Sequence, residues 1–132
     1  MIDVRELRIG NYVHLFESDT PYRITEIGYS EIEDDRYEAS GISSESVFRT
    51  YIENLNPISI TEELLLKCGF KHEAFYKAYY TEDLGYIVFK EDGVYLYDSE
   101  NCYICMSKAI TSLHQLQNLY FFLTGKELEV YL

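Results

Sequence analysis

The run from Ser112 to Gly125, Ser-Leu-His-Gln-Leu-Gln-Asn-Leu-Tyr-Phe-Phe-Leu-Thr-Gly, carries its own start and stop signals. Ser112 followed three residues later by Gln115 is a capping box, and Gly125 is the residue that most readily closes a helix end. Leu113, Leu116, Tyr120 and Leu123 recur three and four apart and form one apolar stripe. A helix is therefore predicted from Ser112 to Gly125. His114, Gln117 and Asn118 share a second face of it, opposite much of the stripe. Imidazole and amides supply donors and acceptors without net charge, which suits a peptide edge, a nucleobase or a sugar. The same groups equally suit a polar helix face, or buried amides that satisfy the ends of neighbouring strands.

A second helix is predicted after Asn56-Pro57. Ser59-Ile-Thr-Glu62 fits a capping box, and Thr61 is a rival cap. Glu62 and Glu63 complement the positive end of the helix dipole. The helix should stop at Cys68, with Gly69 in the left-handed conformation and Phe70 folding back on Leu65. Between the two helices, Phe75–Tyr80, Tyr86–Lys90, Val94–Tyr97 and Tyr103–Met106 read as strands, and Asp92-Gly93 is a hairpin signal.

The first half reads as short strands. Leu7–Phe16 holds a Gly-Asn turn before an aromatic and β-branched run, Thr20-Pro21 breaks the chain, and Tyr22–Ile27 resumes it. Residues 31–38 are too acidic to bury and read as a loop or exposed edge, and a further strand covers Ser46–Tyr51. Such spacing suggests a small curled SH3-like barrel. The tail, with Leu128, Val130 and Leu132 in alternation, reads as a short added strand. The expectation is an α+β protein: a strand-rich lobe over 1–56, then over 57–132 a four-stranded antiparallel meander flanked by two helices, the whole making one compact unit.

With 132 residues the chain can build a core without metal or disulfide staples. No apolar run approaches a membrane span of about 18 residues, and Met1-Ile-Asp-Val-Arg-Glu lacks the pattern of a signal peptide. The expectation is a soluble cytoplasmic protein with no membrane partner. There are 23 acids against 11 bases, a formal net charge of −12. Such a surface repels nucleic acid, whose binding depends on Lys and Arg displacing counterions, so direct nucleic-acid binding is not expected.

All five arginines precede residue 50 and all six lysines follow residue 66. A guanidinium grips a phosphate or carboxylate through two parallel hydrogen bonds, so an anionic ligand belongs to the first half. The candidate ligand-binding residues are Arg8, Tyr12, Arg23, Arg49, His114, Gln117 and Asn118. The competing reading has the arginines balancing neighbouring acids. Fourteen tyrosines and seven phenylalanines, with no tryptophan, read mostly as ordinary sheet residues, while a surplus of this size favours a self-association surface or an aromatic pocket.

Motifs for catalysis are absent from the sequence: there is no nucleophile elbow, Walker loop, zinc-protease helix or dinucleotide-binding glycine pattern. A hydrolase could still be assembled from scattered residues. Cys102-Tyr-Ile-Cys105 has knuckle spacing but lies in a predicted strand, where residues three apart point to opposite faces. Core cysteines in a reducing compartment are expected there, with no metal and no cofactor. Glu33-Asp34-Asp35 lacks the alternation and central glycine of a calcium loop and reads as a solvated loop.

Three segments resemble an uncharacterised family of small acidic proteins from Bacteroides-type bacteria and their phages and prophages. These are Leu7–Val13, Asn56–Phe70 and His114–Leu128. Members of that family commonly carry a tryptophan where this chain has Leu64, and the intervening strands do not match. The resemblance implies an accessory protein of a mobile element or its host, and it brings no catalytic residue.

The function expected from these features is non-enzymatic binding, of a counter-defence kind. The chain would sequester a small anionic, nucleotide-like signal or occlude a host protein, with homo-oligomerisation through tyrosine-rich edges. The alternatives are an acidic DNA mimic that blocks a DNA-binding enzyme, a hydrolase with dispersed residues, and an assembly accessory.

Overall fold

The computed structural model describes residues 2–30, 36–74, 77–97 and 103–132. It is an α+β protein with two antiparallel five-stranded sheets and two helices. The chain divides into two compact units. The first comprises Met1–Ser59 with Ser112–Asn118, and the second Ile60–Thr111 with Leu119–Leu132.

In the first unit a 3-10 turn, Val4–Glu6, precedes β1 (Tyr12–Leu15), β2 (Pro21–Ser30), β3 (Arg36–Ile42) and β4 (Val47–Tyr51). A second 3-10 turn, Ile52–Asn54, leads into the two-residue β5 (Leu55–Asn56). The order β4-β3-β2-β1-β5 curls into a half-barrel, which fits the strand-rich lobe expected from the spacing of strand signals. Its core is Ile2, Leu7, Val13, Ile24, Ala39, Ile52 and Leu55, with Leu15, Ile27 and Phe48 packed against it.

The Gly-Asn turn expected within Leu7–Phe16 is present, as the tight turn Arg8–Asn11, and β1 begins directly after it at Tyr12. The Asn11 amide donates to the Arg8 carbonyl at 3.0 Å, and Gly10 takes φ +97°, as the third residue of a type II turn must. One expectation is refined: residues 36–38, read as loop or exposed edge, begin β3, where β2 pairs all three but β4 reaches only Glu38, so Arg36 and Tyr37 remain an exposed edge while Glu38 is bonded on both sides. Residues 31–35, with the acidic run, lie outside the described residues.

In the second unit α1 (Glu62–Lys67) is capped by Thr61, whose hydroxyl accepts from the Leu64 amide at 3.1 Å. The rival cap prevails over Ser59. At its other end Phe70 donates to the Leu65 carbonyl and Gly69 to Leu66, both at 3.1 Å, the paired bonds of a Schellman closure. Then follow β6 (Lys71–Glu73), β7 (Ala78–Thr81), β8 (Gly85–Lys90), β9 (Gly93–Tyr97) and β10 (Tyr103–Ser107), in the order β10-β9-β8-β7-β6. The expected four-stranded meander thus has a fifth strand, β6. Lys71-His-Glu73 carries little strand propensity and is held by its pairing with β7.

Helix α2 (Leu113–Thr124) closes on Gly125, whose amide donates to the Phe121 carbonyl at 2.8 Å. Leu113 and Leu116 are fully buried and Tyr120 nearly so, as the stripe requires. Only half of its capping box is made. Gln115 Oε1 accepts from the Ser112 amide at 3.2 Å, while the buried Ser112 hydroxyl has no partner among the described residues. The tail after Gly125 forms no strand: Leu128 is buried, but Tyr131 and Leu132 are exposed. Among the described residues no helix is long and apolar enough to cross a membrane.

Candidate functional site

Five of the seven ligand-binding candidates meet in the first unit, around the turn Arg8–Asn11. Gln117 is 2% exposed; its Oε1 accepts from the Tyr12 amide at 2.9 Å and its Nε2 donates to the Gly10 carbonyl at 3.0 Å. One side-chain amide thereby completes two backbone groups, as a neighbouring strand would. Asn118 Oδ1 accepts from Arg8 Nε at 3.1 Å and from Asn11 Nδ2 at 2.9 Å, and Asn118 Nδ2 donates to the Glu6 carbonyl. The fully buried Asn11 accepts from the Arg8 amide at 2.6 Å. These amides therefore serve the fold's own backbone.

His114, the fifth, is 2% exposed and neither ring nitrogen has a hydrogen-bond partner among the described residues. Its Nε2 lies 3.8 Å from Glu6 Oε2, beyond hydrogen-bonding range. Burial pulls the imidazole below its usual range, with the Glu6 carboxylate opposing that shift. Ser112, His114 and Glu6 are the residue types of a hydrolytic triad. Such a triad needs a serine bonded to histidine and open to substrate, whereas this serine is 3% exposed and unbonded.

Arg23 lies opposite Tyr12 in the β1–β2 register and is exposed. Arg49 lies on β4, opposite Ser40, and reaches Glu38 with Nε and Nη2, both at 2.9 Å. Arg5 and Arg36 are likewise paired, to Asp3 and Glu53, each at 2.7 Å. Three of the five guanidiniums are thus held by carboxylates, and Arg8 is held by Asn118. A groove of about 220 Å³ on this sheet is lined by Ile9, Gly28, Ser40 and Arg49, but also by Glu26 and Glu38. In the second unit a cleft of about 420 Å³ is bordered by Glu82, Asp83, Glu127 and Glu129, with Lys126 bonded to Asp83 at 3.0 Å. Carboxylates outnumber cations at both, which disfavours a phosphate.

Part of the aromatic surplus resolves into a different feature, a row of tyrosines on the second sheet. Tyr80 on β7 faces Tyr86 on β8, which faces Tyr97 on β9. Residues directly opposite one another share a face, so the row crosses three adjacent strands. Ring centroids are 5.1 Å apart for Tyr80–Tyr86 and 6.2 Å for Tyr86–Tyr97, in tilted and edge-on arrangements. Tyr80, Tyr86 and Tyr97 are half-buried, while the opposite face holds the buried Ile87 and Val94. Val88 and Tyr95 extend the same aromatic face by one register step. This row is the candidate interface. Each tyrosine was visible in the sequence as a strand residue; their alignment depends on hairpin register, which single-strand patterns do not specify.

Cys105 is exposed rather than part of a core, because β10 is an edge strand, and Cys68 is buried. Cys102 lies outside the described residues. Burial pushes the Cys68 thiol up to about 11. No group of three or more metal-binding side chains converges among the described residues. No protein-family model, curated protein sequence or solved structure matches the chain.

Proposed function

We propose that the chain is a non-enzymatic binding protein of the accessory kind carried by phages and prophages, and that it works by covering a partner protein. The single observation that carries this reading is the row Tyr80–Tyr86–Tyr97 on an otherwise ordinary sheet. Tyrosine presents a large apolar face with one polar tip at low entropic cost, which is why it is enriched where protein surfaces meet. The small-anion branch has less support, since most guanidiniums are already held and both clefts are rimmed by carboxylates. Occlusion of a partner is therefore the preferred branch of the expected binding role.

The test has two arms. A photo-crosslinking residue placed at Tyr86 should trap one predominant protein from a Bacteroides-type host, and Tyr86→Ala with Tyr97→Ala should lose that partner when captured by affinity tag. Calorimetry against cyclic and linear nucleotides should give no heat. Tight nucleotide binding that survives both alanine substitutions would replace this reading with sequestration. Complex formation that collapses as salt rises, and is indifferent to the tyrosines, would favour the DNA-mimic alternative.

A further inference from the structure

We infer that β10 is a self-association edge, through which two copies of the chain pair antiparallel about Ile104. This stands independently of the partner-covering reading.

β10 ends the second sheet, so among the described residues one side of its backbone has no strand beside it. Such an edge offers a row of free amides and carbonyls to any extended chain. Three other strands also end a sheet. β6 has three residues, two of them charged, and β5 has two residues. β4 carries Arg49 at its centre, so pairing with its own copy would oppose two guanidiniums. β10 alone is a five-residue edge without a charge, Tyr-Ile-Cys-Met-Ser.

Charge selects the occupant. A chain with a formal charge of −12 meets its own copy against repulsion wherever acids face acids. β10 itself brings no acid to such a contact. The apolar row gives the second argument. Ile87, Leu96 and Ile104 lie opposite one another on the face that holds the unit's buried residues. Cover falls off along it: Ile87 is 0% exposed, whereas Ile104 at the edge is 53% exposed. The strand keeps a regular register from Tyr103 to Cys105 and shifts only before Ser107. A twofold axis through Ile104 uses the regular part and sets one exposed isoleucine against the other, a β-branched pair that a sheet face accommodates well. The two sheets would then run on as one.

Sedimentation velocity on the full chain, over a concentration series into the hundred-micromolar range, should show a monomer–dimer equilibrium. Ile104→Lys and Ile104→Glu should each weaken dimerisation by roughly tenfold or more, since a like-charged pair replaces an apolar one. Mixed in equal amounts, the two variants should dimerise again, because lysine then faces glutamate. A second measurement needs no variant: hydrogen exchange at residues 103–107 of the wild-type chain should slow as concentration rises. A wild-type chain that stays monomeric, or a dimer that ignores both substitutions and shows no concentration-dependent protection of β10, would overturn the inference.

Discussion

The two units use polar side chains in opposite ways. In the first, Asn11, Gln117 and Asn118 are turned inward and spent on backbone groups of residues 6–12. In the second, the prominent polar-tipped side chains are tyrosines that stay half in water along a sheet face. The difference teaches that polarity on a helix does not by itself advertise a ligand. A buried amide costs about 1–3 kcal/mol if left unpaired, so it is tolerated only where it finds partners. A half-exposed phenol pays no such penalty, because water can serve its polar tip.

The largest expected effect breaks the inward half of this contrast. Gln117→Leu would strand the Tyr12 amide and the Gly10 carbonyl, at about 2–4 kcal/mol for the two orphaned groups. Hydrogen exchange should show the Tyr12 amide losing protection while the Ile87 amide of the second unit keeps more of its own. Equal losses at both would show that the first unit does not depend on this amide locally.

Next comes pH, where the two units should fail at opposite ends of the scale. His114 is held neutral by burial, so its folded pKa lies below the ordinary 6.5. The unfolded chain then binds more protons, and stability should fall as pH drops below about 6.5. His114→Leu should flatten that slope in denaturation midpoints measured from pH 8 to 5. In the second unit burial and a 2.5 Å hydrogen bond to Asp83 push the Tyr120 phenol up to about 12. Stability there should be complete below the ordinary value of 10 and decline as pH rises from 10 toward 12. Tyr120→Phe should remove that alkaline loss, read by circular dichroism.

A smaller effect on stability, but a large one on binding, is expected from Tyr86→Ala. Losing a half-buried ring should cost about 1 kcal/mol or less of pair energy in the fold, with partner capture reduced at least tenfold. The smallest effect concerns thiols. Cys105 should react with iodoacetamide within minutes at pH 8, whereas Cys68, buried and poorly ionised, should resist until the unit opens. Equal rates would mean that α1 opens readily.

Much of this could be read from the chain beforehand, and the reason differs element by element. Thr61, Gly69, Phe70 and Gly125 act through hydrogen bonds within five residues, so local sequence specifies them. Asp92-Gly93 is equally local, and β8 and β9 follow from it. β3 and β6 escaped because their backbones are satisfied by strands elsewhere in the chain, which charged side chains do not advertise. Leu128 shows a third limit: it is buried as alternation suggested, yet no strand forms around it. For the site, His114, Gln117 and Asn118 were legible as a group on one helix face, but that two of them would meet Arg8 and Tyr12 was not. Gln117 finds Gly10 across 107 positions. The tyrosine row was hidden for the related reason that register is a property of pairs.

Helix α2 contributes residues up to Asn118 to the first unit, although that unit's last strand ends at Asn56. A nascent chain therefore emerges with its half-barrel complete in strands yet lacking the amides that finish the turn at Gly10. More than fifty residues must follow before Gln117 arrives. Synthesis proceeds at roughly 5–20 residues per second, so the early strands wait several seconds for their last partners. During that interval the open turn is where a chaperone, or a premature stop, would make itself felt.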